Sequence, residues 1–351
     1  MAADLRIASP EDFPEALRAF GPEPLIVCHN DADGLSAGVI LKKALERQGR
    51  HPAIRIVGKG ENAYSDAFQA ELAPRRRDGV ILADVGTSSA LRPAGPAIVV
   101  DHHVPTGLPA GATVISGIEN RPVPTSSLIA YRAARALGPA EDLLWLAAIG
   151  LIGDLAEGEG FPEMESARAL GITALRKAAS LVNAPRRTAK GDASAAFALL
   201  DKAEGPKAVL SGAHTETAAL LDAKAEVARE LDAARKAAPK IVGDVAIIRF
   251  HSPCQIHPLV AQAWRGRLKG KIVIAANTGY RPGFVHFAAR AEGERDLIAF
   301  FAAHRPPGAD EQYGNGHRLA SGGALRLPDW NLFVADLGFG AEMGLDAREA
   351  A

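Results

Sequence analysis

Aspartate and histidine recur in this chain in short, tightly spaced groups. They are His29-Asn30-Asp31-Ala32-Asp33-Gly34, then Asp84-Val85-Gly86, then Asp101-His102-His103, and last Asp154, which closes the apolar run WLAAIGLIGD. Carboxylate oxygens joined by a few imidazole nitrogens suit Mn²⁺ or Mg²⁺ better than thiol-seeking metals. The set is large enough for two ions. A pair of such ions lowers the pKa of water and neutralises charge on phosphoryl oxygens, so the chemistry implied is phosphoryl transfer to water. Asp154 belongs with the others because a carboxylate at the end of an apolar helix is costly to bury unless it is paired or binds a metal. Alone, Asp84 reads as a cap or turn residue and the His102-His103 pair as surface. Four acidic groups at corresponding edges read otherwise.

The elements that must position these residues alternate. Apolar runs at 24–28, 79–83 and 97–100 read as buried strands, and each runs directly into one of the groups. Helical patterns at 36–46, 126–137, 142–153 and 163–180 separate or follow them. Short β-rich runs between helices predict an α/β unit with a parallel sheet covered on both faces. In such sheets ligands bind outside the carboxyl ends of the strands, so the groups should meet in one crevice. Gly34 is expected to let the chain turn tightly after Asp33, so that a helix N-terminus can face a phosphate.

Residues 184–240 are rich in alanine and charge, and read as helices ending in a long one at 215–236 with a solvated face. Beyond Pro239 come strands at 242–250, 271–276 and 285–290, helices at 257–269 and 295–303, and a glycine-rich loop at 314–323. The division expected is a metal-binding domain at 1–183, a helical linker at 184–240 and a smaller α/β domain at 241–351.

The chain has 351 residues, 48% apolar and 23% charged, which fits a two-domain globular protein. Its net charge of −1 argues against coating long nucleic acid through a broad basic face. No apolar run is long enough for a membrane span, and the N-terminus lacks a secretory pattern. Cys28 and Cys254 make a poor disulfide framework, so a cytoplasmic setting is expected. Cys28 reads as a small buried apolar residue. His251, Cys254 and His257 lack a clear fourth partner for zinc. Arg75-Arg76-Arg77 and Arg186-Arg187 read as exposed basic loops, and Trp330 and Phe333 as packing residues.

HNDADG, LADVG, VVDHH and LIGD resemble, in order, the four motifs of the DHH phosphoesterase superfamily, with the first motif most similar to its RecJ-like branch. The superfamily includes single-strand exonucleases, oligoribonucleases, cyclic dinucleotide phosphodiesterases and type II pyrophosphatases. The resemblance implies that His29, Asp31 and Asp84 hold one metal. It implies that Asp33, Asp84, His102 and Asp154 hold the other, with Asp84 bridging. His103 would face the scissile phosphate and Asp101 would orient a neighbouring histidine. Gly316-His317-Arg318-Leu319-Ala320-Ser321-Gly322-Gly323 resembles the glycine-rich loop of the DHH-associated C-terminal domain, with Asn315 where a glycine is common. There the resemblance implies a substrate-binding role for Gly316, His317, Gly322 and Gly323, and for Arg290 at the end of the preceding strand. Successive N–H groups of such a loop can form an anion-binding nest.

The function expected is a Mn²⁺-dependent phosphodiesterase with two ions, Mg²⁺ being the other candidate, acting as a single-strand exonuclease. The chain is shorter than a full RecJ exonuclease and shows no extra strand-binding module, so short oligonucleotides are favoured as substrates. The alternatives are a nucleotide phosphatase or cyclic dinucleotide phosphodiesterase, and a non-catalytic nucleic-acid-binding scaffold.

Overall fold

The structure is a computed structural model that describes residues 7–75, 78–310 and 313–345. It divides into two compact units, residues 1–186 with 191–222, and residues 187–190 with 223–351. The segment 184–240, expected as a linker, is thus shared between the units. Arg76 and Arg77 of the first basic run lie outside the described residues.

Among the described residues the first unit holds a six-stranded sheet: β1 (Ile7–Ala8), β2 (Leu25–Cys28), β3 (Ala53–Ile56), β4 (Val80–Ala83), β5 (Ala97–Asp101) and β6 (Ala112–Ser116). Their order is β1-β6-β5-β4-β2-β3 and every neighbouring pair is parallel. The three strands read from sequence as buried are buried along their whole length, because helices and loops cover both faces. The half-exposed β3, and β6 and the short β1, went unread because their apolar runs are weaker. The chain turns from β2 outward to β3 on one side and to β4 on the other. The point where strand order reverses therefore lies between β2 and β4.

Four helices carry the main core on one face: α1 (Ala32–Arg47), α2 (Ser126–Leu137), α3 (Leu144–Gly153) and α4 (Ile172–Val182). Helix α1 starts four residues before the expected position. Asp31 is its N-cap, accepting a hydrogen bond from the Gly34 N–H at 3.0 Å. Gly34 therefore lies in the first helical turn. Its smallness serves close approach, since a Cβ there would lie 2.5 Å from the His29 Cβ. Thr125 caps α2 in the same manner. The helix expected over 163–180 is broken by Gly171, whose φ of 101° is in the left-handed region, into Pro162–Ala167 and α4 with a 3₁₀ turn between.

The long helix α5 (Thr215–Ala234) crosses the boundary between units at 222 and 223, so only its C-terminal part belongs to the second unit. Its mixed sheet runs β11-β12-β10-β9-β8-β7, from β7 (Lys240–Val242), β8 (Val245–Phe250), β9 (Ile272–Asn277), β10 (Phe284–Arg290), β11 (Asn315–His317) and β12 (Ala320–Arg326). Helix α6 (His257–Arg265) covers one face over β9 and β10. Helices α7 (Leu297–Ala303) and α8 (Leu327–Asp336) cover the other, around an aromatic core that includes Phe287, Phe301, Trp330 and Phe333. Among the described residues no helix is long and apolar enough to cross a membrane.

The expected glycine-rich loop is a correction. Residues 315–317 and 320–326 are two paired strands, and β12 also pairs with β10. The glycines allow strands to approach: a Cβ on Gly322 would lie 2.6 Å from the Phe287 carbonyl oxygen. Gly322 and Gly323 thus lie in a strand rather than a loop, and Gly322 is paired on both sides, with Ala288 and with Asn315.

Candidate metal centre

The four acidic groups meet at the carboxyl ends of β2, β4 and β5, at the point where strand order reverses. His29 to Asp33 follow β2 into α1, Asp84 follows β4, Asp101 to His103 end β5, and Asp154 follows α3. Three sets of potential ligand atoms each lie within 4.8 Å of one another: His29, Asp31 and Asp84; Asp33, His102 and Asp154; Asp84, His102 and His103.

Asp84 is central to the arrangement. One of its oxygens lies 3.4 Å from His29 Nδ1, and the other lies 3.5 Å from His102 Nε2. Its φ of 63° places a non-glycine residue in the left-handed region, a strain of about 1 kcal/mol or more. That conformation turns the carboxylate off the strand and into the crevice. The Ser126 hydroxyl donates to Asp84 Oδ1 at 2.9 Å.

Asp33 is fully buried, and an unpaired buried carboxylate costs several kcal/mol. The cost is offset by the first turn of α2, whose Ser126 and Ser127 N–H groups donate to its two oxygens at 2.8 and 3.0 Å. Gly150 of α3 lies against this carboxylate, and a Cβ there would overlap Ser127 Oγ and Asp33 Oδ1. Asp101, 0% exposed, accepts from the His103 and Gly86 N–H groups at 2.7 and 2.8 Å, and lies 3.2 Å from His103 Nδ1. This leaves the half-exposed His103 ring held from behind and open on its other side.

The charges are out of balance. Burial, then the neighbouring Asp33 and Asp31, push Asp84 well above the usual carboxylate range. The same causes, with Asp84 added, push Asp154 up to about 9. Burial opposes the protonation of His29, but the carboxylates of Asp31 and Asp84 outweigh it and raise the ring to about 10. His103 is raised to about 9 by its Asp101 partner, against burial. His102 is lowered, chiefly by burial. Burial acts to raise Asp31 as well, yet His29 and Arg186 hold it well below its ordinary value.

The residues fit a divalent cation. His102 Nε2 is buried without a hydrogen-bond partner, yet faces Asp84 at 3.5 Å and Asp154 at 3.3 Å. A nitrogen lone pair aimed among carboxylate oxygens, with their charge uncompensated, is what a cation would satisfy. The oxygen and imidazole donors match Mn²⁺ or Mg²⁺.

Sequence reading missed several contributors. Arg186, taken for an exposed loop residue, has a side chain only 19% exposed, with Nη1 3.6 Å from Asp31 Oδ2 and Nε unpaired. Asn183 accepts from the Ala32 N–H at 2.9 Å, fixing the start of α1. Ser126, Ser127 and Gly150 also act on the site. The signal that could have drawn attention to Asn183 and Arg186 was their short spacing at the end of a helix. Cys28 is buried in β2, with its thiol pushed up by burial, as befits a packing residue. In the second unit, Cys254 donates to Glu226 Oε1 and His251 Nδ1 lies 3.1 Å from Thr278 Oγ1, so they form no metal group with His257 among the described residues.

In the second unit the pairing register aligns Arg290, Ala320 and His317 as one row across β10, β12 and β11. Side chains of one row point to the same face. Arg290 and His317, 27 residues apart in the chain, are thus brought to the same end of one sheet face.

No family model matches the chain, and no curated protein matches it. Solved structures do. RecJ from Thermus thermophilus in complex with Mn²⁺ is similar with a TM-score of 0.73 at 20% identity, over 96% of this chain and 55% of that one. An exonuclease RecJ bound to manganese is similar with a TM-score of 0.64 at 18% identity, over 95% of both chains. The DHH domain of a member of the S1p family of ribosomal proteins gives 0.64 at 16% identity, over 93% of this chain and 88% of that one. This chain therefore spans little more than half the length of the Thermus RecJ. The fold is that of the RecJ and DHH-domain proteins, the superfamily that the four sequence motifs resemble.

Proposed function

We propose that the chain is a metal-dependent phosphodiesterase that hydrolyses short single-stranded oligonucleotides from an end, with two Mn²⁺ or Mg²⁺ ions held in the first unit. The observation that carries this reading is the convergence of three ligand groups, two of them containing Asp84 and two containing His102, with the buried His102 Nε2 unsatisfied among carboxylates. His29, Asp31 and Asp84 would hold one ion, and Asp33, Asp84, His102 and Asp154 the other. Divalent ions so held would polarise phosphoryl oxygens and ease the ionisation of water. The similar fold of RecJ proteins solved with Mn²⁺ supports the choice of ion.

The chain's own groups supply the rest. Asp84 presents one oxygen toward His29 and the other toward His102, so the two proposed ion sites would share one carboxylate. The α2 N–H groups fix the Asp33 carboxylate and limit its movement during turnover. Asp101 orients His103 and favours its protonated form, so that ring can donate a proton or hydrogen bond to a phosphate or leaving oxygen. Arg290 and His317 would grip a substrate phosphate from the second unit. The catalytic role is thereby assigned to the first unit and the substrate-gripping role to the second.

The test is hydrolysis of end-labelled DNA and RNA oligonucleotides of two to about thirty nucleotides, with Mn²⁺ and with chelator. Mn²⁺-dependent release of mononucleotides, strongest on short strands, is the expected result. Absence of cleavage at every length would overturn the oligonucleotide reading.

A further inference from the structure

Two apolar side chains at the metal centre are left out of the core. Val104 follows His103, and Leu155 follows Asp154. Val104 is 77% exposed and Leu155 88%, and among the described residues no other large apolar side chain is as exposed as either. A lone exposed leucine carries little meaning, because folded proteins leave many apolar groups in water. Here the two stand beside one pair of proposed ligands. His102 Nε2 and Asp154 Oδ2 approach to 3.3 Å, so Val104 and Leu155, each within two residues of them, lie at the rim of the same crevice.

Leu155 is also strained. Asp84 and Leu155 are the two non-glycine residues with a left-handed backbone among the described residues, Leu155 at a φ of 62°. The cause of that φ is the end of α3. The Ala156 N–H donates to the Leu151 carbonyl at 2.8 Å and the Leu155 N–H to the Ile152 carbonyl at 3.2 Å, the pair of bonds that closes a helix through one left-handed residue. That residue is ordinarily glycine, because a Cβ there crowds the following carbonyl oxygen. Leucine gains nothing from the fold in return, since its side chain lies in solvent. The acid next along the turn, Glu157, is taken up by Arg168 and Arg176, so Leu155 is the group the turn leaves presented. Strain of this kind collects at ligand sites, where the side chain is held for what it touches when the ligand is bound.

We infer that Leu155, with Val104, is the apolar contact for the nucleoside attached to the scissile phosphate. A phosphate held among Asp84, His102 and Asp154 carries its sugar and base out of the crevice past this rim. Aliphatic side chains pack against the face of a base and form no hydrogen bond with its edge, so the contact is indifferent to base identity. It favours nucleotide esters over pyrophosphate and polyphosphate, which have no apolar part. The inference rests on the proposed phosphodiesterase activity and deepens it, by naming the residues that separate a nucleotide from a bare phosphate chain.

The experiment uses the full chain with Mn²⁺, a thymidine trinucleotide, and the same trinucleotide with abasic residues at both ends. Wild type is compared with Leu155→Gly, Leu155→Asn and Leu155→Met. In the wild type KM should be about tenfold lower for the trinucleotide than for the abasic strand, in keeping with burial of a leucine side chain. Leu155→Gly and Leu155→Asn should bring that ratio close to one, and Leu155→Met should keep most of it. Glycine and asparagine tolerate the left-handed backbone, so both variants should also melt about 2 °C above the wild type. Weaker substrate binding joined to greater stability is a combination that a structural role does not produce. A ratio equal in all four proteins, or a KM raised equally for both strands, overturns the contact and leaves the phosphodiesterase reading standing. A Leu155→Gly protein that melts below the wild type also overturns it, by returning the side chain to the fold. Cleavage of neither strand by the wild type overturns both readings.

Discussion

Gly150 offers a test of the first unit that does not alter any proposed ligand. It lies within α3, where alanine is ordinarily better than glycine by about 1 kcal/mol. Here the added methyl would overlap Ser127 Oγ and Asp33 Oδ1, and lie 2.7 Å from Ser127 Cβ, where ordinary contact begins at 3.4 Å. Relief requires the Asp33 carboxylate or the first turn of α2 to move by about 1 Å. Overpacking of this kind costs about 1–3 kcal/mol, so Gly150→Ala should be destabilised by about 0–2 kcal/mol net of its helical gain. The larger effect falls on metal binding. Disturbing groups that orient a metal ligand lowers affinity about 10–100-fold. The assay is Mn²⁺ titration calorimetry beside chemical denaturation, with Gly158→Ala as control, since nothing lies within 4 Å of a Cβ there. A Gly150→Ala protein that binds Mn²⁺ like wild type and is more stable by the helical increment would refute the placement of Asp33 against α3.

Other outcomes follow from the charges. Asp154 and Asp84 are raised, as are His29 and His103, so between about pH 4 and 9 the metal-free fold binds more protons than the unfolded chain. Its stability therefore falls as pH rises through that window, and cations that displace those protons stabilise it more at higher pH. The rise in melting temperature on adding Mn²⁺ should be larger at pH 8 than at pH 6; equal rises would count against these residues as ligands. Removing the cation beside Asp31 should not weaken ion binding, because Arg186 competes with a metal for that carboxylate. Arg186→Gln should therefore bind Mn²⁺ as tightly as wild type or more so, as read by titration calorimetry. Weakened Mn²⁺ binding in a folded Arg186→Gln protein would contradict this.

Much of the first unit was legible because its candidate ligands sit where a buried parallel strand must end. Continuous apolar runs mark β2, β4 and β5, and the next polar residues fall at the sheet's carboxyl edge whatever the helices do. Position 34 shows the limit: glycine after two aspartates reads as a turn, whereas its reason is the nearness of His29, a contact that exists only once the helix begins at Ala32. Ser126, Ser127, Gly150 and Asn183 were invisible for a related reason. They act on residues about 90 to 150 positions away, through N–H groups, a carbonyl oxygen or the mere absence of a methyl. Glycine in the 314–323 segment likewise signalled a loop, but close strand approach at Gly322 requires the same residue. The alignment of Arg290 with His317 is a matter of strand register and could be seen only in the paired sheet.

The most direct test of the account is hydrolysis of a short single-stranded oligonucleotide by wild type and Asp84→Ala, each with Mn²⁺ and with chelator, after both are shown to be folded. Asp84 faces both proposed metal groups, so its loss should abolish cleavage while the core beneath it stays intact. Activity in the wild type that needs Mn²⁺ and vanishes in the variant is the predicted result. Cleavage retained by a folded Asp84→Ala protein, or unaffected by chelator, would contradict the central claim.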